Sequence, residues 1–245
     1  MIKKEACLDK TELLDYDADN IKKLVASREW MKLDEYERIG AIYTFVRDEI
    51  AYGYSSDDRL MASRILTDGY GHCNTKSILL MALLRAADIP CKLHGGTVQK
   101  KLFEGIMPDI IYGKMPESIL HSWVEVAYKD KWISLEGVIL DDRYLKNLKG
   151  KFKNHTLLFC GYGVAVEDFG KIKVDWNGED TFIQQELVNH DFGEFSTPDS
   201  FYKKHAQKFS GMFKIMYEKM GRGMLNSNIK KIRELKYADE IKKEE

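Results

Sequence analysis

Residues 69–96, GYGHCNTKSILLMALLRAADIPCKLHGG, carry most of the information about how this chain folds. The glycines at their start mark a tight turn, because glycine adopts positive φ without steric cost. Residues 78–84 are too continuously apolar for a surface helix, so they predict a buried helix that ends before Pro90. Asn74 or Thr75 is expected to cap its start. Cys73 is therefore predicted at the N-terminus of a buried helix, where unpaired N–H groups and the helix dipole favour a thiolate.

Residues 121–137, HSWVEVAYKDKWISLEG, supply candidates for a base and for a group that orients it. Apolar and polar residues alternate on both sides of a polar break, which predicts a β-hairpin. With Lys129 and Asp130 as a two-residue turn, His121 and Glu136 share a face as diagonal neighbours, about 7–8 Å apart at the backbone. An odd number of turn residues without a bulge would place them on opposite faces. The pattern thus permits a cysteine, a histidine and a carboxylate to meet.

These two stretches, in this order, resemble the core of the transglutaminase-like superfamily, of the prokaryotic type, within the wider papain-like cysteine enzymes. The resemblance extends over about residues 40–142. It implies Cys73 as nucleophile, His121 as base and Glu136 as the group that orients the base. The family usually has aspartate at the third position, and this glutamate is one methylene longer. The alternative carboxylates are Asp141 and Asp142.

Length and composition bound the remaining possibilities. The 245 residues, 44% of them hydrophobic, suffice for one large domain or two small ones. The net charge of -1 gives no overall attraction to polyanions, so a nucleic-acid partner is not expected. No apolar run is long enough for a membrane span or a signal peptide. The four cysteines are widely spaced without a CxxC pair, which favours a cytoplasmic protein with reduced thiols and no zinc site.

We expect three parts along the chain. Residues 1–18 lack periodicity and are predicted to be a loosely attached arm. Residues 19–150 are expected to form an α+β, papain-like core, in which the cysteine helix packs on an antiparallel sheet. Residues 151–245 are expected to pack on this core as an extension that ends in two helices, with a break at Gly221-Arg222-Gly223.

The first helix of that extension is predicted to start at Thr197-Pro198 and to dock through an apolar stripe with helical spacing. The stripe consists of Phe201, His205, Phe209, Met212, Phe213, Met216 and Met220. Residues 201–245 contain twelve Lys and Arg against six Asp and Glu, a net charge of +6. The last, basic helix is therefore either a solvated face or a surface for an anionic partner.

Two other segments are harder to assign. Residues 97–120 contain scattered prolines and a glycine, so they are predicted to be irregular. They form either one wall of the active-site cleft or a surface excursion with its own small cluster. Residues 138–140 are expected to continue the second strand of the hairpin.

Five more residues are candidates for the cleft. Tyr52 or Tyr54 is expected to donate to an oxyanion hole beside the backbone N–H of the cysteine. Trp123 follows the candidate base on the same strand. For His72 we expect a surface position rather than a catalytic one. For His94 we expect a structural role rather than a position in the cleft.

The resemblance implies cysteine-dependent acyl chemistry on an amide, in a peptide or protein substrate. The thiolate would attack the carbonyl, the histidine would take and return the proton, and the glutamate would hold the imidazole in the productive tautomer. The resulting thioester passes either to water, as in a peptidase or amidase, or to an amine acceptor, as in a transglutaminase. No cofactor or metal is implied. The alternative is a catalytically silent fold that serves as a peptide- or protein-binding module, and a third possibility is a scaffold built on the basic C-terminal region.

Overall fold

The computed structural model describes residues 7–207, 209 and 211–241, and it confirms the expected mixture of helices and antiparallel sheet. Within the described residues, the α-helices are α1 (Asp19–Ser27), α2 (Glu35–Asp48), α3 (Ala62–Asp68), α4 (Cys73–Ala86), α5 (Asp109–Tyr112), α6 (Asp142–Lys151), α7 (Pro198–Lys204), α8 (Gly211–Met216), α9 (Arg222–Arg233) and α10 (Tyr237–Ile241). The strands are β1 (Ala51–Tyr52), β2 (Tyr70–Gly71), β3 (Cys91–Gln99), β4 (Ser118–Tyr128), β5 (Lys131–Ser134), β6 (Phe159–Gly161), β7 (Val164–Val166) and β8 (Val188–Phe195). Short 3₁₀ segments occur at Trp30–Lys32, Lys100–Phe103, Glu136–Ile139, Phe169–Lys171 and Gln185–Leu187, and a π-helical turn spans Tyr217–Gly221.

Helix α4 is enclosed by the rest of the fold. All its side chains from Cys73 to Arg85 are buried. The apolar run predicted this for residues 78–84, but not for the polar residues on either side. It packs on β3 and β4 and is flanked by α2 and α3. The helix ends ahead of Pro90, as expected, and the N–H of Ile89 bonds back to the carbonyl of Leu84 at 2.9 Å. Because α4 is packed on all sides, its first residue has a fixed position relative to the sheet.

The main sheet has the strand order β5-β4-β3-β8, and all its pairs are antiparallel. In the hairpin, Tyr128 pairs with Lys131, so the predicted two-residue turn and its register are confirmed. The expected continuation of the second strand through residues 138–140 is wrong. The chain turns into a 3₁₀ segment at Glu136 because the N–H of Gly137 bonds the carbonyl of Thr181 instead of a strand neighbour.

The C-terminal part is more deeply integrated than the sequence indicated. Strand β8 pairs with β3 as an edge strand of the main sheet, so residues beyond 150 complete the sheet of the core. This strand was missed because its sequence, VNHDFGEF, is mostly exposed and shows no apolar alternation.

The predicted continuous helix from Pro198 to Met220 is also wrong, because α7 ends at Lys204 and α8 begins at Gly211. Of the expected stripe, Phe201 and Phe213 are buried, whereas Met220 is 58% exposed and the side chain of Met212 lies outside the described residues. The expected break at residues 221–223 is not found either. There the π-helical turn leads directly into α9, and Gly221 allows close approach of Ile111, whose Cδ1 lies 3.2 Å from the position that a Cβ would take.

The N-terminal arm is bound more tightly than expected. Residues 1–6 lie outside the described part, but Cys7 and Leu14 are completely buried. The guanidinium of Arg85 holds this segment by donating to the carbonyls of Asp9, Cys91 and Ser196. Among the described residues, no helix combines the length and the apolar character needed to cross a membrane.

Candidate active site

Cys73 is the first residue of α4, so its position follows directly from the packing of that helix. Thr75 Oγ1 accepts a hydrogen bond of 3.0 Å from the N–H of His72, the residue just before the helix. Thr75 therefore caps the helix as expected, but its side chain does so from the third helical position by accepting from the residue before the helix, as in one half of a capping box. The thiol is only 7% exposed, and it lines a cavity.

His121 and Glu136 meet inside the protein. His121 Nε2 lies 2.8 Å from Glu136 Oε1, and both side chains are completely buried. Burial disfavours the charged imidazole, but Cys73 and Glu136 outweigh this effect and raise the pKa of His121 to about 10. The ring is therefore held as an imidazolium donor next to the thiol.

The second oxygen of Glu136 is fixed by residues that the sequence did not indicate. Glu136 Oε2 accepts the backbone N–H of Ile183 at 2.8 Å and that of Gln184 at 2.9 Å. Both residues come from the C-terminal part, and backbone donors leave no sequence signal. With both oxygens bonded, the carboxylate has its position and its plane defined.

The thiol and the imidazole are coupled electrostatically. Burial acts to raise the pKa of Cys73, but the charge and hydrogen bonding of His121, with a smaller contribution from His72, lower it to about 6. Within the described residues, His121 Nδ1 is hydrogen-bonded to no nitrogen or oxygen atom. Because Nε2 is bound to Glu136, Nδ1 is the ring nitrogen left for the sulfur. By contrast, burial raises the pKa of Cys91 to about 11. The two thiols therefore differ strongly in nucleophilic character.

His72 is not at the surface, contrary to the expectation from its place on a turn. It is 3% exposed and stacks on Tyr54, with 4.7 Å between ring centroids. Its Nε2 lies 3.3 Å from Asp58 Oδ1, and its Nδ1 lies 3.9 Å from Cys73 Sγ. Burial opposes the charge of this imidazole, but the cysteine and the aspartate raise its pKa. A second imidazole, whose protonated form is favoured by these two neighbours, thus borders the sulfur.

The two candidate tyrosines lie together, but only one reaches the cavity. The hydroxyl groups of Tyr52 and Tyr54 are 3.2 Å apart, and burial raises the pKa of both, so both stay protonated. Tyr54 lines the cavity next to Cys73. Tyr52 is 1% exposed and packs edge-on against Tyr144.

His94 and Trp123 are stacked on each other, with 4.3 Å between ring centroids, away from the cavity lining. His94 is held between Glu125 at 2.7 Å and Asp191 at 2.8 Å, which fits a structural histidine that ties β8 to the sheet. The Trp123 ring lies 5.5 Å from that of His121, so it packs behind the base.

Lys76 was missed, although it holds the site together. It is completely buried one turn into α4, and its ammonium donates to the carbonyls of Arg47 at 2.9 Å, Val138 at 2.9 Å and Ile139 at 3.1 Å. Burial lowers the pKa of Lys76 to about 7. The lysine thereby ties the cysteine helix to the 3₁₀ segment that begins at Glu136. In the sequence it is one of four consecutive polar residues before an apolar run, which does not distinguish it from a solvated lysine.

The alternative carboxylates serve other contacts. Asp141 accepts the backbone N–H of Tyr52 at 2.9 Å and pairs with Arg233 at 2.6 Å. Asp142 pairs with Lys146 at 3.1 Å. Among the described contacts, neither aspartate is bonded to the imidazole, so Asp141 instead fastens helix α9 to the core.

The cavity at Cys73 has a volume of about 280 Å³. Residues of the 97–120 segment form an apolar wall of this cavity. The segment is therefore a cleft wall and not a surface excursion with its own cluster. The residues of this wall are Val98, Leu102, Phe103, Met115, Ile119 and Leu120. The C-terminal part forms the opposite wall with residues between Tyr202 and Glu218, and the polar turn 55–59 borders the rest. No group of three or more His, Cys, Asp or Glu within the described residues is placed to hold a metal ion.

Comparison with known proteins agrees with this architecture. Residues 24–137 match the family model of the transglutaminase-like superfamily. The match includes the cysteine, the histidine and the glutamate. This similarity supports cysteine-type chemistry on amides in general.

A crystal structure described as that of a "Putative Cysteine Protease from Cytophaga hutchinsonii" is also similar. The two share 22% identity at a TM-score of 0.40, over 52% of this chain and 39% of that chain. The comparison with curated proteins gave no match.

Proposed function

We propose that this protein is a cysteine enzyme that cleaves amide bonds in peptides or proteins through a thioester, with Cys73 as nucleophile, His121 as acid and base, and Glu136 as the orienting carboxylate. One observation carries the proposal. The imidazole of His121 has Nε2 fixed by a fully buried carboxylate at 2.8 Å, which leaves Nδ1 for a thiol whose pKa is lowered to about 6. A structural cysteine has no need of such surroundings.

The reaction follows from this arrangement. The thiolate of Cys73 attacks the carbonyl carbon, the C–S bond forms, and the carbonyl oxygen becomes an oxyanion. The imidazolium of His121 gives its proton to the amide nitrogen as the C–N bond breaks, so the amine leaves and a thioester remains. The neutral imidazole then takes a proton from water or an incoming amine. That molecule attacks the thioester, and the thiolate is released.

Two groups are available for the oxyanion. The backbone N–H of Cys73 belongs to the first turn of α4, where it has no partner within the helix. The hydroxyl of Tyr54 is the second donor that we propose, since it lines the cavity while Tyr52 is buried behind it. Donors that are fixed before the charge develops stabilise it without reorganisation.

The surroundings of the thiol favour certain substrates and conditions. The apolar wall of the cavity fits an acyl group with apolar side chains. The acyl group of the thioester passes either to water, which makes the protein a peptidase or amidase, or to an amine, which makes it a transglutaminase-type acyltransferase. The four widely spaced cysteines fit a reducing compartment, and we propose the cytoplasm.

Limited alkylation tests the assignment. Iodoacetamide at neutral pH, followed by mass spectrometry, is expected to modify Cys73 well before Cys91 or Cys160. A peptidyl electrophile should modify the same residue, and Cys73→Ala should abolish this labelling. Equal rates at the three thiols would refute the catalytic role and favour the binding module. For an enzyme, adding peptide and a primary amine then separates the acceptors, because hydrolysis yields an acid and transfer yields a new amide.

A further inference from the structure

In the described part of the chain, strand β4 has no strand neighbour on its outer edge beside the candidate base, although Asn74 and Ser77 of α4 bond the carbonyls of Leu120 and Ser122. Strand β5 pairs only with residues 125–128 of β4, and no other strand in the described part of the chain lies along the outer edge of residues 118–123. Leu120 is in this stretch, directly before His121, and it lines the cavity. Its N–H points away from β3, as its actual acceptor shows.

That acceptor is the side chain of Gln207, from the C-terminal part. Gln207 Oε1 accepts the N–H of Leu120 at 2.5 Å. A side-chain carboxamide thus occupies the place that the backbone carbonyl of a neighbouring strand would take. Gln207 lines the same cavity as Cys73. The carbonyl of Leu120 is already bonded to Asn74 Nδ2 at 3.2 Å, so the N–H is the group open to exchange.

Gln207 is placed between two anchored points. His205 stacks on Phe192 with 4.2 Å between ring centroids, and Phe209 packs on Phe213 at 4.9 Å. Gln207 itself belongs to neither α7 nor α8. Its side chain can therefore rotate away from β4 while the aromatic contacts on both sides stay in place.

We propose that the N–H of Leu120 is a binding point for a main-chain carbonyl of a peptide substrate, and that the carboxamide of Gln207 fills it until the substrate displaces it. The inference rests on the proposed function, and it narrows the substrate to a peptide long enough for one of its main-chain carbonyls to reach Leu120 while another is at Cys73. Exchange of one amide carbonyl for another keeps the N–H bonded in both states, which avoids the cost of an unsatisfied donor. A small amide that does not reach Leu120 has no need to displace Gln207.

The test compares two reagents on the full chain, iodoacetamide and a tripeptidyl electrophile with apolar side chains. Gln207→Ala removes the competing acceptor, so the rate of Cys73 modification by the peptide, relative to that by iodoacetamide, should rise about two- to tenfold, the worth of one such hydrogen bond. Gln207→Glu is the matched control, because it retains an acceptor at the same reach and should leave the ratio low.

A second measurement varies the peptide reagent, and its first comparison, within the wild type, does not depend on how the variants fold. The reagents are analogues of the peptide, each with one amide carbonyl replaced by a methylene. One of them should modify Cys73 more slowly than its parent in the wild type. The rate of that analogue should not increase in Gln207→Ala. The proposal is overturned if Gln207→Ala leaves the ratio unchanged, or if every methylene analogue gains as much as its parent. If Cys73 in the wild type reacts with neither reagent, the proposed function fails instead.

Discussion

Nε2 of His121 and Oε1 of Glu136 are 2.8 Å apart between two side chains with no exposure to solvent. The carboxylate reaches the ring from a 3₁₀ segment, whereas the expected route was a strand. Its other oxygen is bonded to two backbone N–H groups of residues 183 and 184. The side chain of Glu136 thus spans from the histidine to a distant segment of the chain.

The pH dependence of alkylation is the first prediction. Because the pKa of Cys73 is lowered to about 6, its reaction with iodoacetamide should rise through a midpoint near pH 6 and level off at neutral pH. The thiolate fraction increases as pH passes the pKa, so the rate increases with pH. Cys91, with a pKa raised to about 11, should stay unreactive in the same range. A midpoint near 9 for Cys73 would mean that no imidazolium stabilises its thiolate.

The second prediction concerns Glu136. Glu136→Gln removes the negative charge that stabilises the imidazolium, so the midpoint for Cys73 alkylation should move upward by about one to two pH units, the worth of a hydrogen bond to a charged group. Glu136→Asp shortens the side chain by about 1.5 Å. It should show a shift of the same sign, because the carboxylate then cannot reach both His121 and the backbone of Ile183.

The control for these variants is Glu125→Gln. Glu125 also lies within bonding distance of a histidine, since its Oε1 is 2.7 Å from His94 Nδ1, but that pair lies away from the cavity lining. The midpoint for Cys73 should not change in this variant. An equal shift with Glu125→Gln would show that the effect arises from general loosening of the sheet.

The part of the site that the sequence predicted is the part encoded locally. Cys73 at a helix start and the register of the hairpin follow from periodicity and turn residues close by in the chain. The contacts of Ile183 and Gln207 could not be predicted, because they depend on the tertiary path of the C-terminal part. His72 was misplaced for a related reason, since a residue at a turn is buried here only because Tyr54 covers it.

The third prediction concerns Lys76. Lys76→Met keeps the length of the side chain but leaves three buried carbonyls without their donor, which should lower the free energy of unfolding by about 1–3 kcal/mol at neutral pH. The pKa of Lys76 is about 7 in the folded protein, against 10.5 as its ordinary value. Between these values the unfolded chain binds more protons, so this lysine makes wild-type stability rise with pH.

Urea unfolding of the wild type and of Lys76→Met, at neutral pH and at an alkaline pH inside that window, measures this contribution. The difference in stability between the two proteins should grow toward alkaline pH, since methionine does not titrate. A difference that stays constant would contradict the lowered pKa of Lys76. Arg222→Ala, at a half-buried position on α9, is a control that should leave the pH dependence unchanged.

The last prediction addresses the helices at the C-terminal end. Deletion of residues 198–245 removes the wall of the cavity between Tyr202 and Glu218, and with it Arg233, which pairs with Asp141 at 2.6 Å and donates to the carbonyl of Tyr52 at 2.6 Å. Strand β8 and the donors to Glu136 remain, because they precede the cut. The truncated protein should therefore keep its sheet and the lowered midpoint of Cys73, but melt at a lower temperature and expose apolar surface. The thiol, 7% exposed in the full chain, should react faster with iodoacetamide. A truncated protein that melts at the same temperature and reacts at the same rate would show that these helices are an independent appendage, and the net charge of +6 on residues 201–245 would then point to a separate binding role.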